Sequence, residues 1–521
     1  MMMMRRRGRI AKLGLAAGFF AVGALAAGPA AAMDTMFAGP RAMGMGGANV
    51  ASVNDVTAQY YNPAALAFFG MRAEDGSRIA VDNQDLGRKN WGLDLGGGAG
   101  YRLHGDFFEY ADILSDIDLD ALSEGVDNAS ELADLINLVS SLEGVTRQGN
   151  GVTADAGGAL GIRVGRFAVG ARVFLQASGR VYELDSTNLG LDITTTQVRT
   201  EINSVDMSGT AYDSTAGFQV FTPEQLDQLA IAFGEVDMAG AQPDTIEAIQ
   251  RLDYMAAQEG IKAEDLAGAV NLLADVIRDS GTGRDLDDNT TSVALSGFGL
   301  LEIPFSYGYA VNEWLGVGAN VKLMRGRVYN NRILVFSDNS DEIISETTER
   351  YNESTTFGLD LALLARLPKV NLGLIGRNLN SPKFDGFSYV PTGSSQTVLV
   401  PDVKVKPQVT AGVAYIPFTT LTLEANLDLT NNETTLPGYR TRNLSFGLEW
   451  DAFRFLALRG GAYKNLAESD IGWVYTAGLG VNLWAARLDL AGAFAAKKEK
   501  YDKDDELPRE IRGMAQLSID F

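Results

Sequence analysis

Apolar and polar residues alternate along the last segment of the chain, residues 511–521, which ends in an aromatic residue. Successive side chains of a strand point to opposite sides, so this alternation predicts a strand with one apolar and one polar face. Comparable segments recur back to residue 91, and many have the roughly 9–11 residues that cross a bilayer at a tilt. The pattern predicts an all-β fold, a transmembrane antiparallel β-barrel of about fourteen strands.

Short and long connections alternate between the predicted strands. Short turns are predicted at residues 165–166, 368–369 and 484–485, with long connections between them. Barrels place short turns on the periplasmic side and long loops outside, so both chain ends are expected in the periplasm. A soluble β-sandwich would also alternate, but it would not need large apolar side chains on the outward face of nearly every strand.

Charged residues recur on the polar faces of these strands. They are expected to point into the lumen, because an arginine or lysine at the bilayer midplane costs roughly 2–4 kcal/mol. The lumen-facing candidates are Asp360, Arg366, Glu424, Asp428, Glu449, Arg487 and Asp489. Two interpretations remain open: a structural interior filled with salt bridges, or a path that conducts or lines a substrate.

Two long connections, about 105–150 and 222–280, are predicted to be helical extracellular insertions of the barrel. In the first, Asn128 and Glu131 are placed to cap a helix. In the second, residues 222–225 read Thr-Pro-Glu-Gln, which combines a cap, a proline in the first turn and a glutamine three residues after the cap. Residues 182–212 are expected to extend two strands beyond the membrane.

An apolar stripe at helical spacing marks the second insertion. Its members are Leu266, Val270, Leu273 and Ile277. Such a stripe packs against another surface, so it is either buried within the insertion, a docking face, or part of a hydrophobic ligand site.

Residues 1–32 have the features of a secretory signal peptide: five basic residues near the start, an apolar run at 13–25 and small residues at 30–32. An uncleaved membrane anchor is the alternative, but the apolar run is short for a membrane span. Together with the barrel pattern, this predicts export to the outer membrane of a Gram-negative bacterium.

Residues 33–75 form a compact, glycine-rich segment before the predicted barrel of residues 76–521. Glycines allow positive φ angles and close backbone approach, and Asn62-Pro63 is a turn-forming pair. The segment leaves no room for a spanning strand, so inside a barrel it would act as a plug.

The run Arg-Ala-Met-Gly-Met-Gly-Gly-Ala at 41–48, followed by Asn-Pro-Ala at 62–64, resembles the N-terminal hatch of the FadL/TodX-type superfamily of outer-membrane transporters for hydrophobic compounds. The stretches NLGLIGRNLNSPKF and VTAGVAYIPFTTLTLEANLDLT resemble the plasmid (conjugal) transfer TraF-type branch of outer-membrane proteins. The resemblance implies a plugged barrel and assigns these residues to the hatch: Gly44, Gly46, Gly47, Asn62 and Pro63.

Composition agrees with a barrel and disfavours other classes. The mean hydropathy of −0.02 is low for a helical membrane protein but fits a wall in which every second residue faces lipid. The net charge of −22 disfavours nucleic acid as a partner. The chain has no cysteine, which excludes disulfides and thiolate metal sites.

The sequence shows no pattern of catalytic or cofactor-binding residues, so neither an enzyme nor a cofactor is predicted. His104 is the only histidine and has no G-x-S-x-G motif to support a catalytic triad. Acidic runs at 285–288 and 502–506 lack full calcium-loop spacing. Gly96, Gly97 and Gly98 lie within a strand, which disfavours a phosphate loop.

The leading hypothesis is a FadL-like channel for passive uptake of small, hydrophobic molecules. Acidic loops argue against fatty acids, because they repel carboxylates. The alternative is a non-transporting scaffold for a conjugal-transfer or surface assembly, with the loop helices as docking faces. Expected partners are outer-membrane lipid, lipopolysaccharide, the barrel-assembly machinery through the strand ending at Phe521, and a small hydrophobic ligand.

Overall fold

The computed structural model describes residues 34, 36–71, 84, 86–118, 122, 126–185, 195–261, 263–279, 290–334, 350–390, 397–452, 454–483, 486–502 and 505–520. The predicted signal peptide at 1–32, the acidic run at 285–288 and the terminal Phe521 lie outside the described residues.

The described residues form a series of strands, numbered here in chain order. They are β1 Trp91–His104, β2 Gly151–Val164, β3 Phe167–Glu183, β4 Ser292–Ala310, β5 Leu315–Leu334, β6 Tyr351–Arg366, β7 Val370–Arg377, β8 Lys383–Phe384, β9 Phe387–Tyr389, β10 Val398–Val400, β11 Val403–Lys404, β12 Gln408–Phe418, β13 Leu421–Asp428, β14 Asn432–Glu433, β15 Arg440–Thr441, β16 Asn443–Ala452, β17 Leu456–Asn465, β18 Trp473–Leu483, β19 Ala486–Ala495, β20 Lys498–Asp502, β21 Asp505–Pro508 and β22 Glu510–Asp520.

Fourteen of these strands close into one antiparallel barrel. Their order around the wall is β1-β2-β3-β4-β5-β6-β7-β12-β13-β16-β17-β18-β19-β22, so the wall follows the chain. The first and last strands pair from Gly92 opposite Asp520 to Arg102 opposite Glu510, which closes the ring. The predicted fold class and strand number are confirmed. The remaining short strands form two-stranded hairpins in the connections.

Large apolar side chains cover the outer surface of the wall. Along β5, for example, Val321 and Leu323 are 55% and 50% exposed, whereas the alternate residues Asn320 and Lys322 are buried inside. Exposed aromatic residues gather beside the short turns: Trp91, Phe167, Tyr309, Trp314, Phe418, Trp450 and Phe455. Aromatic rings of this kind mark the boundary between lipid and water in membrane barrels. The alternation in the sequence therefore sets the lipid-facing side.

The two ends of the barrel differ. Short turns, such as Gly165-Arg166 between β2 and β3, lie at the end where β1 begins and β22 finishes, here called the turn end. Long connections lie at the opposite end, here called the loop end. Helices occur in the β1–β2 and β3–β4 connections at the loop end: Phe107–Asp116, Ala129–Thr146, Thr195–Ser204, Pro223–Ala232, Pro243–Gln258 and Ala263–Asp279.

The predicted helix starts are confirmed. The side chain of Asn128 accepts hydrogen bonds from the backbone N–H groups of Ser130 and Glu131. Thr222 and Gln225 form a reciprocal capping box at the start of Pro223–Ala232. Among the described residues, no helix combines the length and apolar character needed to cross a bilayer.

The prediction of two strands over 182–212 is wrong. β3 ends at Glu183, and Thr195–Ser204 is helical. Val198, Ile202 and Val205 are buried at helical spacing, so their burial against the other helices outweighs the β-propensity of the threonines and valines.

The helices at the loop end are here called the cap. They share one hydrophobic core. Leu266, Val270 and Leu273 are all buried in it, together with Ile249 and Leu252. The core continues onto the ends of β1–β3 through buried Leu103, Val152 and Val181. The apolar stripe is therefore buried within the insertion at Leu266, Val270 and Leu273, the three of its positions whose side chains are described. This is the first of the three interpretations of that pattern.

Candidate functional site in the barrel lumen

Residues 36–71 lie inside the barrel and are here called the hatch. Almost all of them are buried. They form the short helices Pro40–Gly44 and Ala58–Tyr61 and the 3-10 helix Pro63–Phe68, joined by tight turns. The lumen is thus occupied by chain that is not part of the wall.

Asn62 joins the hatch to itself and to the wall. Its Nδ2 donates to the carbonyl oxygens of Val50 in the hatch, at 2.9 Å, and Leu363 in β6, at 3.0 Å. Its Oδ1 accepts from the backbone N–H of Ala64 at 3.0 Å and so caps the helix that begins at Pro63. An alanine here would leave three buried groups without this partner.

Glycines allow the hatch and the wall to touch backbone to backbone. Gly46 has a φ of +64°, and a Cβ there would lie 2.7 Å from the carbonyl oxygens of Phe446 and Ala462. Its neighbour Gly47 also has a positive φ, of +90°. On the wall side, a Cβ on Gly461 would lie 2.5 Å from the backbone nitrogen of Gly46. Any side chain at this contact would push the hatch from its seat.

The third glycine of the motif makes a similar contact. Gly44 ends the helix Pro40–Gly44 and lies against Gly478 of β18, whose Cα would be 3.0 Å from an added Cβ. The hydroxyl of Thr476 donates to the Gly44 carbonyl at 3.0 Å. The helix end is therefore fixed to the wall by a hydrogen bond and by close packing.

A buried ion pair fastens the other end of that helix. The guanidinium of Arg41 contacts Glu449 of β16, with Nη2 and Nε at 2.8 and 3.1 Å from Oε1. Both side chains are less than one-tenth exposed. The hatch is therefore held by an ion pair that is largely shielded from water.

The pair is part of a larger network on the wall. Arg459 donates to Glu449 at 2.7 Å and to Asp489 at 2.7 Å. Arg487 lies 3.0 Å from Asp489 and 3.7 Å from Glu449. Arg41 of the hatch and two arginines of the wall thus alternate with two carboxylates of β16 and β19. The network uses three predicted lumen residues, Glu449, Arg487 and Asp489.

The other predicted lumen residues also point inward. Asp360 contacts Lys322 at 3.1 Å and accepts from Asn320, whose amide donates to the Gln59 carbonyl of the hatch at 2.7 Å. The guanidinium of Arg366 lies 5.0 Å from the ring of Phe68 in the hatch.

Two carboxylates on β13 complete the predicted set. Glu424 accepts a hydrogen bond from the backbone N–H of Ala51 in the hatch at 2.8 Å. Asp428 accepts from Thr410 and from the backbone of Asn443 at 2.8 and 3.0 Å. The interior thus contains a network of charged and hydrogen-bonded groups, many of which grip the hatch.

A second charged cluster, absent from the predicted set, lies on β1, β2 and β22. Arg102 contacts Asp34, just before the hatch, at 2.6 Å, and Arg512 contacts Asp155 at 2.6 Å. Arg512 also contacts Glu510, which accepts from the hydroxyl of Tyr463. These residues occupy inward positions of the alternation, which is the signal that could have identified them.

Residues 429–442, between β13 and β16, fold inward at the loop end and are here called the inner loop. Thr435 at its tip reaches β3 on the far wall, where its hydroxyl contacts that of Ser178 and its N–H donates to Gln176 at 3.3 Å. The adjacent Leu436 is fully buried. The inner loop therefore crosses the mouth above the hatch.

The only histidine lies beside the inner loop. The His104 ring is buried, 4.0 Å from the ring of Tyr439, and its Nε2 is 3.0 Å from the Thr153 hydroxyl. Tyr439 donates to Asp470 at 2.9 Å. Burial acts to raise the pKa of Asp470, but contacts with His104 and Tyr439 outweigh it and hold this pKa at about 2. The arrangement holds the inner loop in place.

A cavity of about 70 Å³ lies between the hatch and the inner loop. The hatch contributes Phe37 and Tyr61 to its lining, the wall contributes Tyr463 and Arg377, and the inner loop contributes Tyr439. A cavity of roughly 150 Å³ holds one benzene molecule. In this form the cavity is therefore too small for a ring-sized ligand.

The pairing of β3 with β4 is interrupted in the middle of the ladder. β3 and β4 pair at Val169 with Phe305 and at Arg172 with Glu302, but the positions between them are not paired. Pro304 lies in this gap and has no N–H to donate. The barrel is therefore weaker here than along the continuous ladder between β4 and β5.

A family sequence model, described as the F plasmid transfer operon TraF protein, matches residues 59–428. The chain belongs to this TraF family. No curated protein matches the chain.

Among solved structures, the TraF-family chain is similar to the P. putida toluene transporter TodX, at 13% identity and a TM-score of 0.44, covering 94% of this chain and 99% of that one. It is also similar to the Ralstonia pickettii toluene transporter TbuX, at 12% and 0.42, covering 93% and 98%. A Pseudomonas aeruginosa FadL homologue gives 10% and 0.42, covering 94% and 99%.

Proposed function

We propose that this TraF-family protein is an outer-membrane channel, closed in the form described above, that passively admits small hydrophobic molecules. The observation that carries the proposal is a closed barrel, apolar outside, around a separate segment that fills its lumen. A barrel that served only as an anchor could fill its interior with its own side chains. A separate hatch adds a part that can move.

The outer surface of the barrel supports a location in the outer membrane. Every backbone group of a closed barrel pairs with a neighbouring strand except at local breaks, which is what hydrocarbon surroundings require. The aromatic residues at the turn end fit a lipid–water boundary. With the turn end in the periplasm, the cap faces outside the cell, as in other barrels of this kind.

The size of the cavity supports a gated passage. The cavity is about half the volume that accepts a benzene ring, so a ligand enters only when the hatch or the inner loop moves. Phe37, Tyr61 and Tyr463 give its lining aromatic surface. The charged side chains of Asp34, Arg102, Arg377, Asp428, Glu510 and Arg512 line it as well. The acidic insertion 105–150 disfavours carboxylate ligands at the mouth.

The interruption between β3 and β4 is a candidate exit for such a molecule. It lies beside Gln59 of the hatch, whose Oε1 would be 2.9 Å from a Cβ on Gly170. Movement of the hatch there would open a route from the lumen into the lipid without crossing the polar turn end.

Liposome uptake tests the channel. The full chain and a variant lacking residues 36–69 are reconstituted, and uptake of toluene is compared with that of a charged solute of similar size. We expect deletion to raise permeability to both solutes, and the full chain to admit toluene alone. Protein-free liposomes give the background. If deletion leaves both permeabilities unchanged, the hatch does not close a passage and the channel proposal is wrong.

The structure of the cap supports a channel better than it supports the alternative, a non-transporting scaffold. Its apolar stripe is buried in the cap's own core, so that surface is not free for a partner. Pull-down with the full chain tests the alternative. A specific partner retained by a protein inactive in uptake would favour the scaffold.

A further inference from the structure

The outer face of β5 changes from apolar to basic within two residues. Val321 and Leu323 point outward, and Arg325 and Arg327 follow on the same face with 55% and 45% of their side chains exposed. Alternate residues along this stretch, such as Met324 and Val328, are buried. The two guanidinium groups therefore stand outside the barrel.

The height of this change matches the edge of a membrane. At about 3.4 Å per residue and a tilt of about 40°, the span from Leu315 to Leu323 rises roughly 20 Å. The apolar band of such barrels is about 25 Å tall. Arg325 and Arg327 therefore lie at the loop-end edge of the band, where lipid headgroups begin.

One carboxylate holds both arginines in position. Arg327 Nε lies 2.6 Å from Glu353 Oε2 on β6, and Arg325 contacts the other oxygen of Glu353. Each guanidinium has five N–H donors, so most remain available. Two positive groups share one negative group, which leaves the cluster with a net positive charge and a fixed geometry.

Apolar and aromatic surfaces lie on either side of the pair. On the membrane side, Phe357 and Phe305 are 60% and 58% exposed. On the outer side, Tyr351 is 41% exposed, and the Arg327 guanidinium lies 4.8 Å from its ring. The face therefore presents, in order, surface for acyl chains, donors for phosphate and an aromatic ring for a sugar.

We propose that this face of β4, β5 and β6 binds lipopolysaccharide, with Arg325 and Arg327 on a phosphate of its sugar headgroup. Arginine presents paired donors that match phosphate geometry. Tyr351 packs against the sugar, and Phe357 and Phe305 contact the acyl chains. The proposal rests on the outer-membrane location proposed above, but it is independent of transport.

Binding is measured on the full chain refolded in detergent without lipopolysaccharide. Its thermal unfolding is followed with added lipopolysaccharide, with the same lipid after removal of its phosphates, with phosphatidylglycerol and with inorganic phosphate. We expect lipopolysaccharide to raise Tm, with at least about tenfold weaker apparent binding of the dephosphorylated lipid. Equal binding of the two lipids, or equal effects of phosphatidylglycerol or free phosphate, would overturn the proposal.

Variants locate the site. Arg325→Gln/Arg327→Gln is expected to weaken binding at least about tenfold, whereas Arg325→Lys/Arg327→Lys retains part of it because charge remains. The matched control is Arg166→Gln/Arg454→Gln, which removes two arginines from short turns at the opposite end. Equal loss in the control would show a non-specific charge effect and refute the site. If the glutamine variant does not fold, the comparison of phosphorylated and dephosphorylated lipid on the unmodified chain still decides.

Discussion

The hatch and the inner loop close the same lumen by different means. The hatch is held by buried charge, as in Arg41 with Glu449, and by backbone contact at Gly46. The inner loop is held at its tip by the neutral groups of Thr435, Ser178 and Gln176. A hydrogen bond to a charged group contributes about 1.5–3 kcal/mol, whereas a neutral hydrogen bond contributes about 0.5–1.5 kcal/mol.

This difference indicates an order of opening. The tip of the inner loop detaches at lower cost, while Tyr439 keeps the base of the loop on Asp470, so we expect the tip to move more often than the hatch and to admit a ligand to the cavity first. The hatch then has to move against its charged contacts. The predictions below test this ranking.

Locking the inner loop gives the largest expected effect. Thr435→Cys/Ser178→Cys places two thiols where two hydroxyls now touch, within reach of a disulfide. Oxidation is expected to abolish uptake almost completely, and reduction to restore it. The natural chain has no cysteine, so the single variant Thr435→Cys is a clean control. Undiminished uptake in the oxidised double variant would show that the loop need not move.

Removing the charge that anchors the hatch comes next. Arg41→Met removes the contact between the hatch and Glu449, which keeps Arg459 as a partner, and is expected to destabilise the seated hatch by about 1.5–3 kcal/mol. Limited proteolysis of the hatch in detergent measures the loss of seating. Arg41→Lys should retain part of the seating, because a positive charge remains opposite Glu449. Similar cleavage of the unmodified chain and Arg41→Met would contradict the assigned role.

A single methyl group tests the backbone contact. Gly461→Ala places a Cβ 2.5 Å from the Gly46 nitrogen, and overpacking of this kind costs about 1–3 kcal/mol. We expect a measurable rise in single-channel opening in planar bilayers. The control is Gly460→Ala, the next residue, where a Cβ meets nothing within 4 Å. Equal behaviour of the two variants would mean that the hatch does not touch the wall there.

The smallest expected effect is the pH dependence of the cap. Burial raises the pKa of Glu499 to about 7, against hydrogen bonding from Phe108 at the base of the cap. A carboxyl whose pKa is raised by folding stabilises the fold when it is protonated. This contribution is complete when the pH is below the pKa of the carboxyl in the unfolded chain, and it is lost as the pH rises through about 7. Hydrogen exchange of residues 107–116 should therefore quicken between pH 5 and pH 8 beyond the intrinsic trend, by at most about tenfold per pH unit.

A matched variant isolates this carboxyl. Glu499→Gln cannot titrate, so its corrected exchange rate should be flat over the same range. Hydrogen exchange in the hatch serves as the internal reference, because the hatch is anchored by Arg41 with Glu449 and not by Glu499. An identical pH response in the unmodified chain and the variant would remove Glu499 as the cause.

Much of the wall could be predicted from local pattern. Alternation on strands such as β13 distinguishes outward Leu427 from inward Glu424 without any knowledge of the fold, because a strand has only two sides. The caps at Asn128 and Thr222 are equally local. These features depend on residues a few positions apart.

The rest depends on distant partners. Residues 434–439 read Thr-Thr-Leu-Pro-Gly-Tyr, like many surface turns, and only the position of Ser178 across the barrel shows that this turn is inside. Inward glycines such as Gly461 are indistinguishable by sequence from flexible positions until the hatch lies against them. Local pattern predicts strands over residues 182–212, whereas residues 195–204 are helical because their buried side depends on the cap core.

The Arg41–Glu449 contact joins residues 408 positions apart. During synthesis the hatch emerges long before the strands that will hold it. The hatch must therefore wait beside an unfinished wall until β16 and β17 have been added, so a segment that is made early is among the last to be secured.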